Sequence, residues 1–306
     1  MNDIYDIIII GGGAAGMSAA IYAARGGMKT LLLEKISYGG QAVKTYEIDN
    51  YPGMGDNPTG PELAERIEKH ARKFGADFAV ENVKSIEDAG EDIKTVKTRR
   101  HEYKTKAIIF ATGASPKKLE IPGEMEFTGA GVSYCATCDG AFFKGRDVAV
   151  VGGGNTAFED ALYLSGICEN VYILNRSEKF RAVPVLVEKA REKKNITIYT
   201  NAVCECFEGS QTLERIYIIK DGEKGFINVS GVIVAIGITP DTALAKKCGV
   251  ETCPLGFIKT DIYLASNVKG IFAAGDCRTT PLRQVITAAA DGAVAATSAV
   301  NYCLSL

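Results

Sequence analysis

Two glycine-rich segments constrain the fold of this chain more than any other feature, because each lies between a predicted strand and a predicted helix. The first follows the apolar run at residues 5–10, and the second follows the apolar run that begins after Asp147. In this pattern one Gly makes a tight turn, a second lets the backbone approach a pyrophosphate, and a third small residue packs helix on strand. The residues that define the two segments are Gly11, Gly13, Gly16, Gly152, Gly154 and Ala157. The chain therefore contains a nucleotide-binding βαβ unit twice.

The repeated unit predicts the fold class and the domain organisation. In both copies the strands are apolar on both faces, which is typical of parallel sheets covered by other layers. At 306 residues the chain is long enough for two domains. Turn signals rich in Pro and Gly at residues 113–123 and 237–249 mark candidate crossovers. We expect an α/β protein with two Rossmann-like three-layer nucleotide-binding domains, one at 117–244 inserted into another at 1–116 and 245–306.

The residue that ends the second strand of each unit indicates which nucleotide binds there. In the first unit it is Glu34, an acid placed to accept hydrogen bonds from the ribose hydroxyls of a dinucleotide. The second unit has no acid there and presents Asn175 and Arg176, with Arg181 about one turn further on. Because arginines bind a 2′-phosphate, the second unit is predicted to prefer NADP(H) to NAD(H).

Charge and hydropathy disfavour several classes of partner. The formal net charge is −2, which gives no electrostatic reason to expect nucleic acid or an anionic membrane as a partner. Asp3 and Asp6 lie where a signal peptide carries Lys or Arg, and no apolar run has the length of a membrane span. We therefore expect a cytoplasmic protein without a membrane segment.

Cys135 and Cys138 are the two cysteines, of nine, whose spacing predicts chemistry. A zinc site needs four ligands, yet the chain has two histidines and neither is near a cysteine pair, so we expect no metal. A permanent structural disulfide is disfavoured in a reducing cytoplasm, which leaves a redox dithiol. A Cys-x-x-Cys loop at a helix start lowers one thiol pKa and so favours thiol–disulfide exchange. Asp139 follows directly, where it can act as a general acid or base or as a helix N-cap.

These motifs resemble those of the low-molecular-weight thioredoxin reductases of bacteria, and the resemblance extends over the whole chain. The segment CATCDG at residue 135 is similar to the active-site motif of that family. Other segments match in order and spacing: GGGAAG at residue 11, GGQ at 39, NYPG at 50, ATG at 111, GGGNTA at 152, AAGDC at 273 and RQV at 283. The resemblance implies a homodimer whose first unit binds FAD and whose second unit binds NADPH. It implies that the FAD site includes Gly39, Gly40, Gln41, Asn50, Ala111, Thr112, Gly113, Gly275, Asp276, Arg283, Gln284 and Val285.

The resemblance implies the activity of a thioredoxin-disulfide reductase. Two electrons would pass from NADPH through FAD to the Cys135/Cys138 dithiol, and then to the disulfide of thioredoxin or a similar small redox protein. One alternative is an enzyme of the same fold that reduces another acceptor, such as ferredoxin or a quinone, although those relatives lack the dithiol. A second alternative is a nucleotide-binding redox sensor, which a turnover assay would distinguish.

One departure from the family pattern concerns the electron donor. The nicotinamide domain of the family usually carries His-Arg-Arg, three further residues and then Arg, whereas this chain has Asn175, Arg176, Ser177 and Arg181 at those positions. Two of the three arginines remain, so we expect NADPH to bind more weakly than at a three-arginine site. A branch of the family takes electrons from reduced ferredoxin and has lost its nicotinamide motifs, and a ferredoxin donor stays open as an alternative.

Overall fold

The chain divides into two compact units, the second inserted into the first. The computed structural model describes residues 4–45, 48, 50–54 and 58–306, so Asp3 lies outside the described residues. Unit 1 comprises the chain up to Ser115 together with Thr239–Leu306, and unit 2 comprises Pro116–Ile238. The predicted insertion of one α/β domain into the other is therefore confirmed.

Both units combine βαβ segments with runs of consecutive strands. Up to the first crossover the elements are β1 (Ile4–Ile10), α1 (Ala14–Arg25), β2 (Thr30–Glu34), α2 (Gly60–Lys73), β3 (Asp77–Val80), β4 (Ser85–Glu87), β5 (Lys94–Lys97), β6 (Glu102–Phe110) and β7 (Ala114–Pro116). Unit 2 continues with β8 (Val132–Ser133), α3 (Ala136–Asp139), β9 (Val148–Val151), α4 (Asn155–Leu164), β10 (Val171–Leu174), α5 (Pro184–Glu192), β11 (Ile196–Tyr199), β12 (Ala202–Gly209), β13 (Leu213–Lys220), β14 (Glu223–Asn228) and β15 (Gly231–Val234). The chain ends with β16 (Ile238–Pro240), α6 (Ala243–Lys247), β17 (Ile271–Ala273) and α7 (Val285–Leu304).

Unit 1 is built on a sheet with the strand order β3-β2-β1-β6-β5-β4, and β17 also pairs with β6. The strands β3, β2, β1, β6 and β17 run parallel, whereas β5 and β4 continue the sheet in antiparallel pairing. The central strand β1 is buried on both faces because Ile7 and Ile9 pack with α1 and α7 while Ile8 and Ile10 pack on the opposite side. The carboxyl ends of β1, β2 and β6 therefore meet at one edge, where glycines and polar residues follow.

Unit 2 has three layers. Its parallel sheet has the order β11-β10-β9-β15-β8, and a separate antiparallel sheet has the order β12-β13-β14. Along β9, Val148 and Val150 pack with α4 and α5, whereas Ala149 and Val151 pack with the antiparallel sheet. The strand is apolar throughout because both of its faces are covered, as the sequence pattern predicts.

The return crossover lies earlier than the predicted boundary between residues 244 and 245. The structure places it between Ile238 and Thr239, and it places the first crossover between Ser115 and Pro116, one residue before the predicted position. The physical reason is packing, since Leu244 packs in the core of unit 1 and the buried Thr242 donates its hydroxyl to the carbonyl of Gly256 at 2.8 Å. At the crossovers β7 and β16 pair in a two-stranded ribbon.

None of the helices in the described part of the chain is both long enough and apolar enough to cross a membrane.

Candidate active site

The first glycine segment makes a turn that only glycine fits. Gly11 has φ +110, and a Cβ on it would lie 2.3 Å from the carbonyl oxygen of Ala111. A Cβ on Gly16 would lie 1.9 Å from the carbonyl oxygen of Gly11, so β1 and α1 approach at backbone contact. Gly13 differs, because among the described residues its Cβ would meet only the Cα of Gly40, at 3.8 Å. The space beside Gly13 is open, which fits the close approach of a pyrophosphate.

Glu34 lies beside this turn at the end of β2. One carboxylate oxygen, Oε2, accepts a hydrogen bond from the backbone N–H of Gly12 at 2.7 Å, and Oε1 accepts from the N–H of Ile36 at 3.0 Å. These two bonds fix the carboxylate at the strand end while each oxygen keeps a further lone pair. The geometry fits the predicted acceptor for the ribose hydroxyls of FAD.

The other predicted FAD residues of unit 1 converge on the same edge of the sheet. Gly39 donates its N–H to the carbonyl of Gly12 at 2.8 Å, which joins the GGQ segment to the glycine turn. Asn50 donates its side-chain amide to Oε1 of Gln284 at 3.1 Å, so two predicted residues far apart in sequence are in contact.

The predicted residues near the end of β6 also make contacts within unit 1. Thr112 donates its hydroxyl to the carbonyl of Asp241. Gly40 and Gly113 have φ of +62 and +68, and Gln41 donates to the Ser115 hydroxyl at 3.3 Å.

Asp276 and Arg283 form the polar part of this site next to the start of α7. Asp276 lies in the short turn Gly275–Cys277, where burial raises the pKa of its carboxyl group while Arg283 opposes the shift. The Arg283 guanidinium lies over the ring of Phe257 at 4.4 Å, and its Nε is buried with no hydrogen-bond partner among the described residues. A buried donor without a partner fits a site that is completed by a polar ligand. Val285 is the first residue of α7.

Sequence reasoning missed a buried ion pair behind Asp276. Arg278 donates from Nε and Nη2 to the two carboxylate oxygens of Asp291, at 2.7 and 2.8 Å, and Gly275 donates its N–H to the same carboxylate at 3.0 Å. Both side chains are 15% exposed. The pair thereby ties the turn that carries Asp276 to α7. A signal was present in the sequence, because Asp291 is the single charged residue in the 20 residues of α7.

The second glycine segment repeats the geometry in unit 2. A Cβ on Gly152 would lie 2.4 Å from the carbonyl oxygen of Ala235 and 2.9 Å from the Cβ of Ala157. Ala157 is fully buried and packs α4 on the sheet, so the small third residue has the predicted packing role. No atom of the described residues lies within 4 Å of a Cβ built on Gly154, which keeps that position open for a second dinucleotide.

The segment after β10 is ordered by its own hydrogen bonds. Asn175 is buried and donates its amide to the carbonyls of Ser177 and Lys179, at 2.6 and 3.2 Å. The backbone N–H of Arg181 donates to the carbonyl of Gly153 at 2.7 Å. This bond fixes Arg181 against the glycine turn. The side chains of both predicted phosphate ligands, Arg176 and Arg181, are exposed.

A disulfide joins Cys135 and Cys138 at the start of α3, and the Cα atoms are 5.3 Å apart. Cys135 is the N-cap of α3, so the predicted position of the dithiol at a helix start is observed. The hydroxyl of Ser133 accepts from the N–H of Cys135 at 3.1 Å and donates to the carboxylate of Asp139. Asp139 ends α3 and is the N-cap residue of the 3-10 turn Gly140–Phe143, although its side chain makes no cap hydrogen bond there.

Three buried thiols outside the motif are poor candidates for exchange chemistry. Cys277 is fully buried and its thiol donates to the carbonyl of Phe110 at 3.4 Å, and burial raises the pKa of the thiol. Burial also raises the pKa of Cys204 to about 12 and of Cys168 to about 11. No cluster of three or more His, Cys, Asp or Glu side chains that could hold a metal ion occurs among the described residues.

Two dinucleotide-type turns and an exchangeable disulfide in one chain define a nucleotide-dependent disulfide oxidoreductase, and comparisons with known proteins agree. Residues 5–292 match the family model of the pyridine nucleotide-disulphide oxidoreductases. The chain is 44% identical to a thioredoxin reductase of Peptoclostridium litorale, covering 99% of this chain and 98% of that protein. It is 41% identical to a thioredoxin reductase of Bacillus subtilis (strain 168), covering 98% of this chain and 95% of that protein.

Solved structures give the same result. The crystal structure of thioredoxin reductase from Streptococcus pyogenes MGAS5005 superposes with a TM-score of 0.94 at 37% identity, covering 100% of both chains. Thioredoxin reductase of Lactococcus lactis in its FR conformation superposes with a TM-score of 0.68 at 41% identity, covering 99% of this chain and 100% of that one. The chain belongs to the pyridine nucleotide-disulphide oxidoreductase family, and within it to the low-molecular-weight thioredoxin reductases. The family resemblance and the Rossmann-like fold predicted from the sequence are confirmed.

Proposed function

We propose that this chain uses NADPH to reduce the disulfide of thioredoxin or of a similar small redox protein. The observation that carries the proposal is the Cys135–Cys138 disulfide at the start of α3, in the unit that also contains the second glycine turn. Unit 1 would hold FAD through Glu34 and the open space beside Gly13. Unit 2 would hold NADPH beside Gly154. Bound FAD supplies a carrier that transfers the two electrons of NADPH to the protein disulfide.

The thiol chemistry follows from the two sulfur atoms. After reduction, the Cys135 thiolate attacks the partner disulfide, so that a Cys135–partner bond forms, the partner S–S bond breaks and one partner sulfur leaves. The Cys138 thiolate then attacks the Sγ of Cys135, which restores the protein disulfide and releases the second partner sulfur. Both leaving sulfurs take up protons as thiols. The two electrons originally stored in the dithiol therefore end on the partner.

Asp139 is proposed to hold and transfer a proton in these steps. Its carboxylate accepts from the Ser133 hydroxyl, which also accepts from the N–H of Cys135. The acid is thus held on the residue that contacts the backbone of the attacking cysteine. A carboxyl group fixed near exchanging sulfurs can protonate a leaving thiolate and take the proton from an attacking thiol.

The compartment, the oligomeric state, the role of each domain and the excluded partners are proposed from membership of the family. We propose a cytoplasmic homodimer with an FAD-binding domain formed by unit 1 and an NAD(P)H-binding domain formed by unit 2, and with neither nucleic acid nor a membrane as a partner. Membership of the family supports these proposals.

A donor titration tests the function. NADPH, NADH or reduced ferredoxin is added without oxygen to the FAD-loaded protein, and the flavin absorbance is followed before oxidised thioredoxin is added. We expect NADPH to bleach the flavin and thioredoxin to restore it with the release of two thiols. A flavin that NADPH bleaches but that no disulfide protein reoxidises would contradict the proposal and favour the redox-sensor alternative. Bleaching by ferredoxin alone would overturn the donor while the disulfide reductase activity stands.

Ser177→Arg is expected to tighten NADPH binding by about one to two decades, because a charged hydrogen bond to the 2′-phosphate contributes about 1.5–3 kcal/mol. Ser177 is exposed, and the bond that its backbone carbonyl accepts from Asn175 at 2.6 Å is kept in the variant. The substitution removes the hydroxyl that accepts from Asn175 at 3.4 Å and donates to the carbonyl of Lys179 at 2.9 Å. Isothermal titration would measure the Kd of NADPH and of NADH, and the latter should change little. Ser210→Arg, an exposed serine of the same unit, is the matched charge control. Equal tightening of both nucleotides would contradict the assignment of this position to the 2′-phosphate.

A further inference from the structure

Glu124 is a buried carboxylate that the chemistry described above does not use. It is 1% exposed, and the turn that carries it lies in the loop between the first crossover and β8. Its Oε1 accepts from the N–H of Leu119 at 2.9 Å and from the hydroxyl of Tyr134 at 2.9 Å, and its Oε2 accepts from the N–H of Glu120 at 2.7 Å. Three donors thus offset the cost of burying the charge.

The carboxylate is held in place by a rigid turn. Glu120 has a left-handed backbone with φ 60, and Gly123 has φ +83. A Cβ on Gly123 would lie 2.3 Å from the carbonyl oxygen of Phe207, so the turn is pressed against β12. The N–H of Phe207 also donates to the carbonyl of Pro122 at 3.0 Å. Glu124 is therefore a fixed acceptor to which a neighbouring segment can be anchored.

That neighbouring segment leads into the disulfide. Tyr134 directly precedes Cys135, and β8 ends at Ser133, so the backbone at Tyr134 has left the sheet. Side chains hold it instead. The Tyr134 hydroxyl bonds to Glu124 on one side, and the Ser133 hydroxyl contacts Cys135 and Asp139 on the other. Burial and the contact with Glu124 raise the pKa of Tyr134 to about 12, so its hydroxyl stays a donor at neutral pH.

We propose that Glu124 and Tyr134 are positioning residues that set the reduction potential of the Cys135–Cys138 disulfide. In the disulfide the two Cα atoms must stay close, at 5.3 Å, whereas the dithiol tolerates a wider range of separations. The hydrogen bond from Tyr134 to Glu124 restricts how far the Cα atoms of Cys135 and Cys138 can move apart. Because this restriction affects the dithiol more than the disulfide, it favours the disulfide. The reaction affected is the balanced exchange of the protein disulfide and two molecules of glutathione for the protein dithiol and oxidised glutathione.

The test compares Tyr134→Phe with Tyr172→Phe. Both substitutions remove one hydroxyl that bonds a carboxylate in unit 2, but Tyr172 lies on β10 and bonds Asp147 at 3.5 Å. The FAD-loaded variants are equilibrated in glutathione buffers, quenched and alkylated, and the Cys135/Cys138 redox state is counted by mass spectrometry. We expect Tyr134→Phe to shift the exchange constant toward the dithiol by about three- to tenfold, where tenfold corresponds to about 30 mV. Tyr172→Phe should leave it within about twofold, well below the hydrogen-bond effect expected at Tyr134.

Glu124→Gln provides a second arm, because it replaces one acceptor oxygen with an NH₂ group that faces N–H or O–H donors. The Glu124→Gln, Tyr134→Phe double variant should shift the exchange constant no more than Glu124→Gln alone, since both changes break the same bond. An exchange constant unchanged in Tyr134→Phe, or shifted equally in Tyr172→Phe, would overturn the inference. The inference relies on the proposed function only for the use of the disulfide in turnover. The glutathione measurement needs neither NADPH nor thioredoxin, so the two ideas can fail separately.

Discussion

Cys138→Ser is expected to lower turnover with thioredoxin by about three orders of magnitude or more, as removal of a covalent catalytic group usually does. The same variant should trap the partner. Cys135 still attacks the partner disulfide and forms a mixed disulfide. A serine hydroxyl at position 138 cannot attack the Sγ of Cys135 to release the partner, so the mixed disulfide persists. Mass spectrometry of the enzyme after incubation with oxidised thioredoxin, under conditions that reduce Cys135, would measure the adduct.

Two further variants test whether the loss of turnover and the trapped adduct depend on the cysteines of the motif. Cys135→Ser should lose turnover equally and form no adduct, because the attacking sulfur is gone. Cys206→Ser is the matched control, since Cys206 is a partly exposed free thiol of the same unit outside the motif. It should keep turnover and form no adduct beyond that of the parent protein. Substantial disulfide reductase activity in Cys135→Ser or Cys138→Ser would contradict the dithiol mechanism.

Gly13→Ala is expected to weaken FAD binding by about a hundredfold, because a methyl group there would hold the pyrophosphate away from the backbone, and each hydrogen bond lost to a charged group costs about 1.5–3 kcal/mol. The apoprotein should fold normally. Gly13 has φ −79 and ψ −173, an extended backbone that alanine adopts, and its Cβ would have ordinary space in the described structure. Flavin fluorescence quenching would measure the Kd, and thermal unfolding of the apoprotein would measure stability.

Two further variants separate ligand effects from fold effects. Gly90→Ala is the control, since a Cβ on Gly90 meets no atom of the described residues within 4 Å and the position lies outside the glycine turn. It should change neither FAD affinity nor stability. Gly16→Ala should instead destabilise the apoprotein, because its Cβ would lie 1.9 Å from a backbone oxygen. If Gly13→Ala bound FAD as tightly as the parent protein, the open space beside Gly13 would not be the pyrophosphate site.

The features that the sequence predicted correctly are local ones. The apolar run at residues 5–10 is observed as β1, which begins one residue earlier, because its isoleucines are covered on both faces. Glu34 ends β2, and Cys135 caps α3, since strand ends and helix starts have signals within a few residues of themselves. Glycines could be assigned roles for the same reason, because each role follows from a single backbone contact or angle.

The features that the sequence did not reveal depend on residues far apart in the chain. Glu124 looks like a surface acid until Tyr134 and two backbone N–H groups are placed around it. Lys94 is fully buried, which its position in a polar segment does not suggest, and it donates to the carbonyls of Glu91 and Lys106 at 2.6 and 2.9 Å. The return crossover lies earlier than predicted because Leu244 packs in the core of unit 1, which is a tertiary preference with no local signal.

The ribbon formed by β7 and β16 has a consequence for how the chain folds. The N–H of Lys117 donates to the carbonyl of Gly237 at 2.9 Å, so the two ends of unit 2 are in contact. In an unfolded chain more than a hundred residues separate β6 from β17, and the entropic cost of closing that loop grows with its length. Once unit 2 has folded, its ends are joined at Lys117 and Gly237, and the loop between β6 and β17 shortens to about 40 residues. Folding of the inserted unit therefore lowers the effective contact order of unit 1, and loss of structure in unit 2 would loosen the pairing of β17 with β6.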